Sequence, residues 1–375
     1  MMRRWQAVAC GAAGIAVMAT VFWRPCLEHI QRGDNDFQVS YVSGQLIMRR
    51  QIYNTPVFQA AERAILGRTN PDLLDTRPPF LALVFWPLAQ LPYRLAWPLF
   101  ACIAAAAVVA FTWLWPDRPA AALACCWSGA LWAALGNGQD VLLILVWLGI
   151  ALRIRESRPF LAGLLLSLCA AKFHFFVFLP VLLWRHRLWR GFAAGAAGLV
   201  AISFGVAGWD WPRQYLATVA QEEAVAHANA AIMPNLHGLF ATWPHAGAWE
   251  LLASLGVAGG VVAVIRRADF PTGLAAVLAG GLLVSRHAYL QDCALLLPAL
   301  LIVLPVARGW GLLALAWLLA PASALAVLAG HPAGDITRLA ILALLGSVVA
   351  GAYPTLRAQR EAHGVDFGPV PAAPQ

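Results

Sequence analysis

The side chains of this chain that could do chemistry are few, and their surroundings single them out. Lys172 is the only lysine among 26 basic residues. It stands with His174 inside LAGLLLSLCAAKFHFFVFLPVLLW, a stretch otherwise almost wholly apolar. An ionisable group at membrane depth is costly unless it faces a cavity or a partner, so such groups mark sites by default. Two readings of Lys172 stand: a cation facing a substrate cavity, or a helix-end side chain that snorkels to the interface. As a cavity cation it should be replaceable by Met with loss of anion binding and a near-normal fold.

Asp34 and Asp36 fall in QRGDNDFQVSYVSG, a few residues beyond the first apolar run. A carboxylate at a cavity mouth suits a general base acting on a hydroxyl. Equally, Asp is a preferred cap for a helix opening at Phe37. A third cluster, VSRHAYLQDC, places Ser285, Arg286, His287, Tyr289 and Asp292 in a short link between two apolar runs. Arg286 and His287 there could hold a phosphate, or Arg286 could pair with Asp292. Asn235 and His237 in PNLHGLF are further polar candidates, with plain surface solvation as the alternative. Seven cysteines show no CxxC spacing, and six of them lie in apolar runs as small hydrophobes. No metal site, disulfide framework or cofactor is expected.

The elements that must position these groups follow from composition. Of 375 residues 61% are hydrophobic and 12% charged, with 17 Trp and 17 Phe against 6 Tyr, and the mean hydropathy is +0.69. Soluble domains run at about a quarter charged, so a soluble enzyme, a disordered chain and a collagen are excluded. The fold class is all-α, a polytopic transmembrane protein. The net charge of +8 does not imply nucleic acid, because the Arg residues sit singly or in pairs between apolar runs and form no stripe along which a phosphate backbone could lie.

The run Trp5–Trp23 is an uncleaved first span, about 28 Å long at 1.5 Å per residue. Further apolar segments follow near 93–115, 119–135, 140–154, 159–171, 173–184, 190–207, 247–265, 270–284, 291–307, 309–329 and 335–353. That makes about twelve spans, with a range of 10–13. Alternate junctions carry 14 Arg on one side, including Arg118, Arg155, Arg187 and Arg267, against Lys172, Arg213 and Arg286 in the short junctions opposite. The positive-inside rule then puts both termini in the cytoplasm. Two hydrophilic regions, about 24–78 and 209–246, face outward. Residues 1–353 form a single membrane domain, and 354–375 is a disordered cytoplasmic tail. Pro79–Leu91 is too short to span and reads as an interfacial or re-entrant helix. Two shallow hairpins, with apices at GNGQD (Gly136–Asp140) and at Lys172, describe a cavity open to the outer leaflet.

Several of these stretches resemble glycosyltransferase family 87, the polyprenol-phosphate-sugar-dependent group of the GT-C superfamily. TRPPFLALVFWPLAQLPYRLAWPLF is similar to its "YPP…PLA.LP….LW" segment, and GNGQD to its "G.GQN" turn. LAGLLLSLCAAKFHFFVFLPVLLWRHRLWRGF is similar to its "aG.l.gl..yKP…..P..ll..rrWr.f" stretch. DFQVSYVSG resembles "DF..yy.aG", and SRHAYLQDCALLLPAL resembles "sPy..dYDl.lL.pal". The matches keep the family's order from about residue 34 to 300. Departures stand at Arg77 for the YPP tyrosine, Phe173 for the proline after the lysine, Arg286 for the proline after Ser285, and a missing glycine before Tyr53.

The resemblance implies an integral membrane glycosyltransferase of the GT-C type. Its donor is a polyprenyl-phosphate hexose or mannose-like sugar, and its acceptor a hydroxyl on a glycan or glycolipid. Transfer takes place with inversion, on the extracytoplasmic face of the plasma (inner) membrane. Carried over residue by residue, Asp36 is the catalytic aspartate because it precedes the Phe. Lys172 matches the family's lysine, placed at the donor phosphate; Arg286 and His287, which the resemblance does not carry, are expected from their residue types to hold that phosphate with it. Gln139 matches the turn glutamine and Asp292 the aspartate of "YDl"; His174, Asn235 and Tyr289 are expected substrate contacts from the residues themselves, outside the resemblance. The rival from another class is a multi-span transporter or flippase using the same buried lysine, which would show inverted repeats and pathway residues on both faces.

Overall fold

The computed structural model of the protein describes residues 4–32, 35–67, 69 and 74–351, with the helical backbone alone for residues 4, 23–32 and 223–228. Asp34 and the tail 354–375 lie outside the described residues. Among the described residues the structure is all-helical, with no strand. Each apolar segment of the sequence is represented by helix, but the segments differ in length and in how deeply they sit.

Five helices are long and apolar enough to cross a bilayer: Trp5–Phe22, Tyr93–Leu114, Trp189–Ala207, Ala246–Arg267 and Ala333–Gly351. Two further apolar stretches are bent pairs, Arg118–Trp127 with Gly129–Asn137 at 69° and Trp310–Leu319 with Pro321–Ala329 at 79°, which raises the number to as many as seven. Both bends lie where a helix-breaking residue falls inside the run: Ser128 caps the second half of one, its side chain accepting from the Leu131 N–H, and Pro321 opens the second half of the other. The remaining apolar helices, Pro79–Ala89, Val141–Ile154, Pro159–Phe175, Phe270–Val284 and Leu290–Val303, are shorter than a straight bilayer crossing requires.

Burial explains the division. The long helices are peripheral: Leu95, Leu99 and Ile103 form an exposed stripe on Tyr93–Leu114, and Leu251, Leu252 and Leu255 do the same on Ala246–Arg267. Large apolar side chains turned outward at helical spacing are what a lipid solvent requires. Phe270–Val284 is the opposite case. Every residue from Phe270 to Leu283 is buried, and a helix apolar on all sides is stable only inside a larger packing. Around it pack Leu179–Arg185, Ala246–Arg267 and Ala333–Gly351. These elements form a packed apolar core beside the shorter, broken segments that carry the polar residues.

The hydrophilic regions are also helical. Residues 24–78 contain Asp36–Leu46 and Thr55–Leu66, and the first helix itself runs Arg4–Arg32, past Trp23. Pro79–Ala89 is helical and packs on Asp36–Leu46. The second region holds Trp211–Ala228 and the short Leu236–Phe240.

Candidate active site

Asp36 is the first residue of its helix, but it is not the cap. The cap is Asn35, with extended backbone and a side-chain oxygen accepting from the Gln38 N–H at 3.1 Å. The capping role open to Asp36 in the sequence is therefore filled by its neighbour, and the Asp36 carboxylate points elsewhere. Its position is fixed by Phe37, whose ring stacks on Phe100 at 5.0 Å and lies 5.3 Å from Trp97.

The GNGQD turn completes this corner. Helix Gly129–Asn137 ends at Gly138, whose φ of 64° is a left-handed conformation that glycine adopts without a Cβ penalty. A Cβ there would lie 2.3 Å from the Trp97 ring and 2.7 Å from Phe37 Cβ. This close approach delivers Gln139, whose side-chain amide donates to Asp36 Oδ2. A second amide, Gln291 Nε2, donates to the same oxygen at 3.4 Å. Among the described residues no Lys, Arg or His lies within ion-pair distance of Asp36.

Lys172 lies where helical geometry fails. The turn Leu168–Phe175 is tight and broken at Lys172, with φ −130° and ψ 48°. The break is held from behind by Gly281, where a Cβ would sit 1.8 Å from the Phe175 carbonyl oxygen. Lys172 Nζ donates to Asp292 Oδ1 at 3.0 Å and lies 3.9 Å from Asp140 Oδ1. The other Asp292 oxygen accepts from the Tyr289 N–H at 2.9 Å, so one carboxylate both shapes the 285–292 link and neutralises the lysine. Asp140 in turn lies 3.4 Å from Arg77 Nε. Arg77, Asp140, Lys172 and Asp292 thus form a chain of alternating charge, and it joins the apices of the two hairpins.

Arg77 is held through its backbone. Its N–H donates to Asp75 Oδ1 at 3.0 Å, and its carbonyl accepts from the Tyr53 hydroxyl at 2.6 Å. Burial pushes the Asp75 carboxyl above its usual value, against the pull of Arg77. Burial likewise works against the Arg77 charge, but the carboxylates of Asp140, Asp36, Asp75 and Asp292 more than offset it. Burial drives the Tyr289 hydroxyl up to about 12, with Glu222 adding to the effect; it stays protonated and can donate.

A cavity of about 520 Å³ collects Asp36, Gln139, Lys172, His174, His287, Tyr289 and Asp292 on one wall system. His174 Nε2 is buried there without a hydrogen-bond partner among the described residues, and the His287 ring meets Tyr289 edge-on at 4.9 Å. Two expected site residues are placed elsewhere. Arg286 does not line the cavity; its side chain is 60% exposed, with Nε 3.8 Å from Glu250. Asn235 is fully buried as the cap of Leu236–Phe240, and its amide donates to the Ser285 carbonyl at 2.6 Å. It supports the 285–289 link from outside the cavity.

Arg77, Asp140, Glu222 and Gln291 are the cavity-region residues that sequence reasoning passed over. Asp140 carried the same signal as Lys172, a charge between short apolar runs. Arg77 was hidden among seven Arg of residues 24–78. Among the described residues no three His, Cys, Asp or Glu converge in a way that would hold a metal ion.

An all-helical apolar architecture around a polar, charge-lined cavity is that of an integral membrane protein. Comparison with protein families makes this specific: the profile of glycosyltransferase family 87 matches residues 76–291, more than half of the chain. The chain belongs to glycosyltransferase family 87, a family of GT-C-type membrane glycosyltransferases. Comparison with curated proteins and with solved structures gives no significant match. The matched region spans Arg77, the GNGQD turn, Lys172 and the 285–291 link.

Proposed function

We propose that this membrane glycosyltransferase transfers a hexose or mannose-like sugar from a polyprenyl-phosphate donor to an acceptor hydroxyl, with Asp36 as general base. The observation that carries the reading is the separation of charges within one cavity. Asp36 is held by two amide donors, Gln139 and Gln291, whereas the cations Lys172 and Arg77 lie in the neighbouring charge chain. Amide hydrogen bonds orient a carboxylate without supplying a neutralising charge, which leaves it able to accept a proton.

In the proposed reaction the acceptor oxygen attacks the anomeric carbon while its proton passes to Asp36. The bond from that carbon to the donor phosphate oxygen breaks on the opposite face, so a single displacement inverts the centre. The lipid phosphate leaves with its negative charge stabilised by Lys172, with His287 and His174 on the same cavity wall. Fixed charges in a site shielded from water act more strongly than in bulk.

The Arg distribution along the chain supports an extracytoplasmic cavity, and we place the protein in the plasma membrane. Reporter fusions after Arg155 should score cytoplasmic and those near Ala226 extracytoplasmic; the reverse pattern puts the cavity on the wrong side. The transporter reading is disfavoured by the family match, because family 87 enzymes make a bond. The direct test is incubation of purified protein with a panel of polyprenyl-phosphate sugars and an acceptor glycolipid. Lipid-phosphate release coupled to glycosylated acceptor is expected for at least one donor. Passage of the intact donor across proteoliposomes with no phosphate release would contradict the reading.

A further inference from the structure

The mechanism above uses Lys172 as the phosphate-binding cation, yet the cavity wall as a whole is acidic. Its lining carries the carboxylates of Asp36, Glu222 and Asp292 against the cations Arg77 and Lys172. Lys172 is already committed, 3.0 Å from Asp292 and 3.9 Å from Asp140. With a neutral residue at 77, one shared ammonium would face three carboxylates, a poor place for a phosphate.

The Arg77–Asp140 pair changes this in a directional way. Arg77 lines the cavity, whereas Asp140 does not and is 1% exposed. The pair therefore shows its cationic half to the substrate and keeps its anionic half behind. Arg77 Nε lies 3.4 Å from Asp140 but has no hydrogen-bond partner, and neither Asp140 oxygen accepts a hydrogen bond among the described residues. The contact balances charge without consuming the guanidinium's donors. Those donors form a planar fork that matches phosphate oxygens two at a time. The Arg77 backbone is held on both sides, by Asp75 and Tyr53, which fixes the point from which the side chain reaches the cavity.

We propose that Arg77 is a specificity-determining residue of this chain, forming with Lys172 a two-cation cradle for the phosphate of the lipid donor, with Asp140 as the buried counter-ion that bridges both. This rests on the lipid-phosphate donor proposed above.

The test is titration of the purified full-length protein in detergent with farnesyl monophosphate and with farnesol, followed by Trp fluorescence. The dissociation constant for farnesol divided by that for farnesyl monophosphate reads the phosphate alone, a ratio that a loss of packing does not move. The charge-balanced double variant Arg77→Gln/Asp140→Asn should lower that ratio by about tenfold or more, the size expected for losing a charge-assisted bidentate contact, with farnesol binding unchanged. A wild-type ratio in that variant overturns the inference. If the double variant does not fold, Arg77→Lys decides, because it keeps a cation against Asp140 but loses the fork. Its ratio should fall by about threefold or more, and a wild-type ratio overturns the inference. Lys172→Met/Asp292→Asn separates the two levels of the argument. If it lowers the ratio and the Arg77 variants do not, the cradle alone fails. If it too leaves the ratio unchanged, the lipid-phosphate donor fails with it.

Discussion

Replacing Lys172 by methionine tests the charge chain, and the structure alters what the substitution should do. A lone cavity cation could be removed with a near-normal fold. Lys172 is instead 3.0 Å from Asp292 and 3.9 Å from Asp140, with the carboxylate side chains 3% and 1% exposed. At an effective dielectric of about 20, unit charges at the shorter distance attract by roughly 5–6 kcal/mol. Much of that is offset by desolvation of both ions, but removing one partner leaves the cost of the other uncompensated, about 3–5 kcal/mol. Lys172→Met should therefore destabilise the protein by about that amount, seen as a lowered thermal midpoint in detergent. Lys172→Met/Asp292→Asn removes the orphaned charge while an amide oxygen can still accept from the Tyr289 N–H. It should recover at least half of the lost stability and none of the lost phosphate affinity. Wild-type stability in the single variant would refute the ion pair, and recovery of binding in the double would refute the role of the charge.

Other perturbations probe the frame around the cavity. Gly281→Ala puts a methyl 1.8 Å from the Phe175 carbonyl, so it should push the Lys172 turn away and weaken farnesyl phosphate binding without touching the cavity; an unchanged affinity would show that the turn is not held there. Arg338 is fully buried and donates to the carbonyls of Met233 and Ala231 and to Asp335, so Arg338→Met should cost on the order of 3 kcal/mol by stranding those acceptors, read as a lowered thermal midpoint. Burial raises the Asp75 carboxyl above its ordinary 3.8, so the folded state keeps that proton to higher pH than the unfolded chain and stability is lost as pH rises from the unfolded value through the folded one. Asp75→Asn escapes this loss, so its thermal midpoint minus that of wild type should grow as pH rises above about 3.8 and then level off; a difference that shrinks with rising pH would contradict the assignment.

The sequence revealed the site where single residues stood out against an apolar background. Lys172, His174, Asp292 and the amide of Gln139 all line the cavity because ionisable or polar groups at such depth need a common wet space. Pairings were not legible. Arg77 and Asp140 lie in different segments, and neither spacing nor periodicity brings them to 3.4 Å. Capping was ambiguous for a similar reason: Asp and Asn cap about equally well, and only backbone geometry gives the role to Asn35 and releases Asp36. Arg286 looked like a phosphate ligand from its neighbours in the chain, but the turn after Val284 directs it toward Glu250 instead. The fold class followed from hydropathy. Apolar content alone does not report whether a run is a straight peripheral helix such as Tyr93–Leu114 or one bent by 69° at Ser128.

The central claim is that Asp36 takes the acceptor proton, and Asp36→Asn tests it most directly. Asn is nearly isosteric, Asn35 continues to cap the helix, and an amide oxygen at position 36 can still accept from Gln139 and Gln291. Stability and farnesyl phosphate affinity should stay at the wild-type level. Sugar transfer from the preferred polyprenyl-phosphate donor should fall by about 10²–10⁴, the usual contribution of a general base. Turnover within a few-fold of wild type by Asp36→Asn would contradict the account and move the proton acceptor to another carboxylate of the cavity.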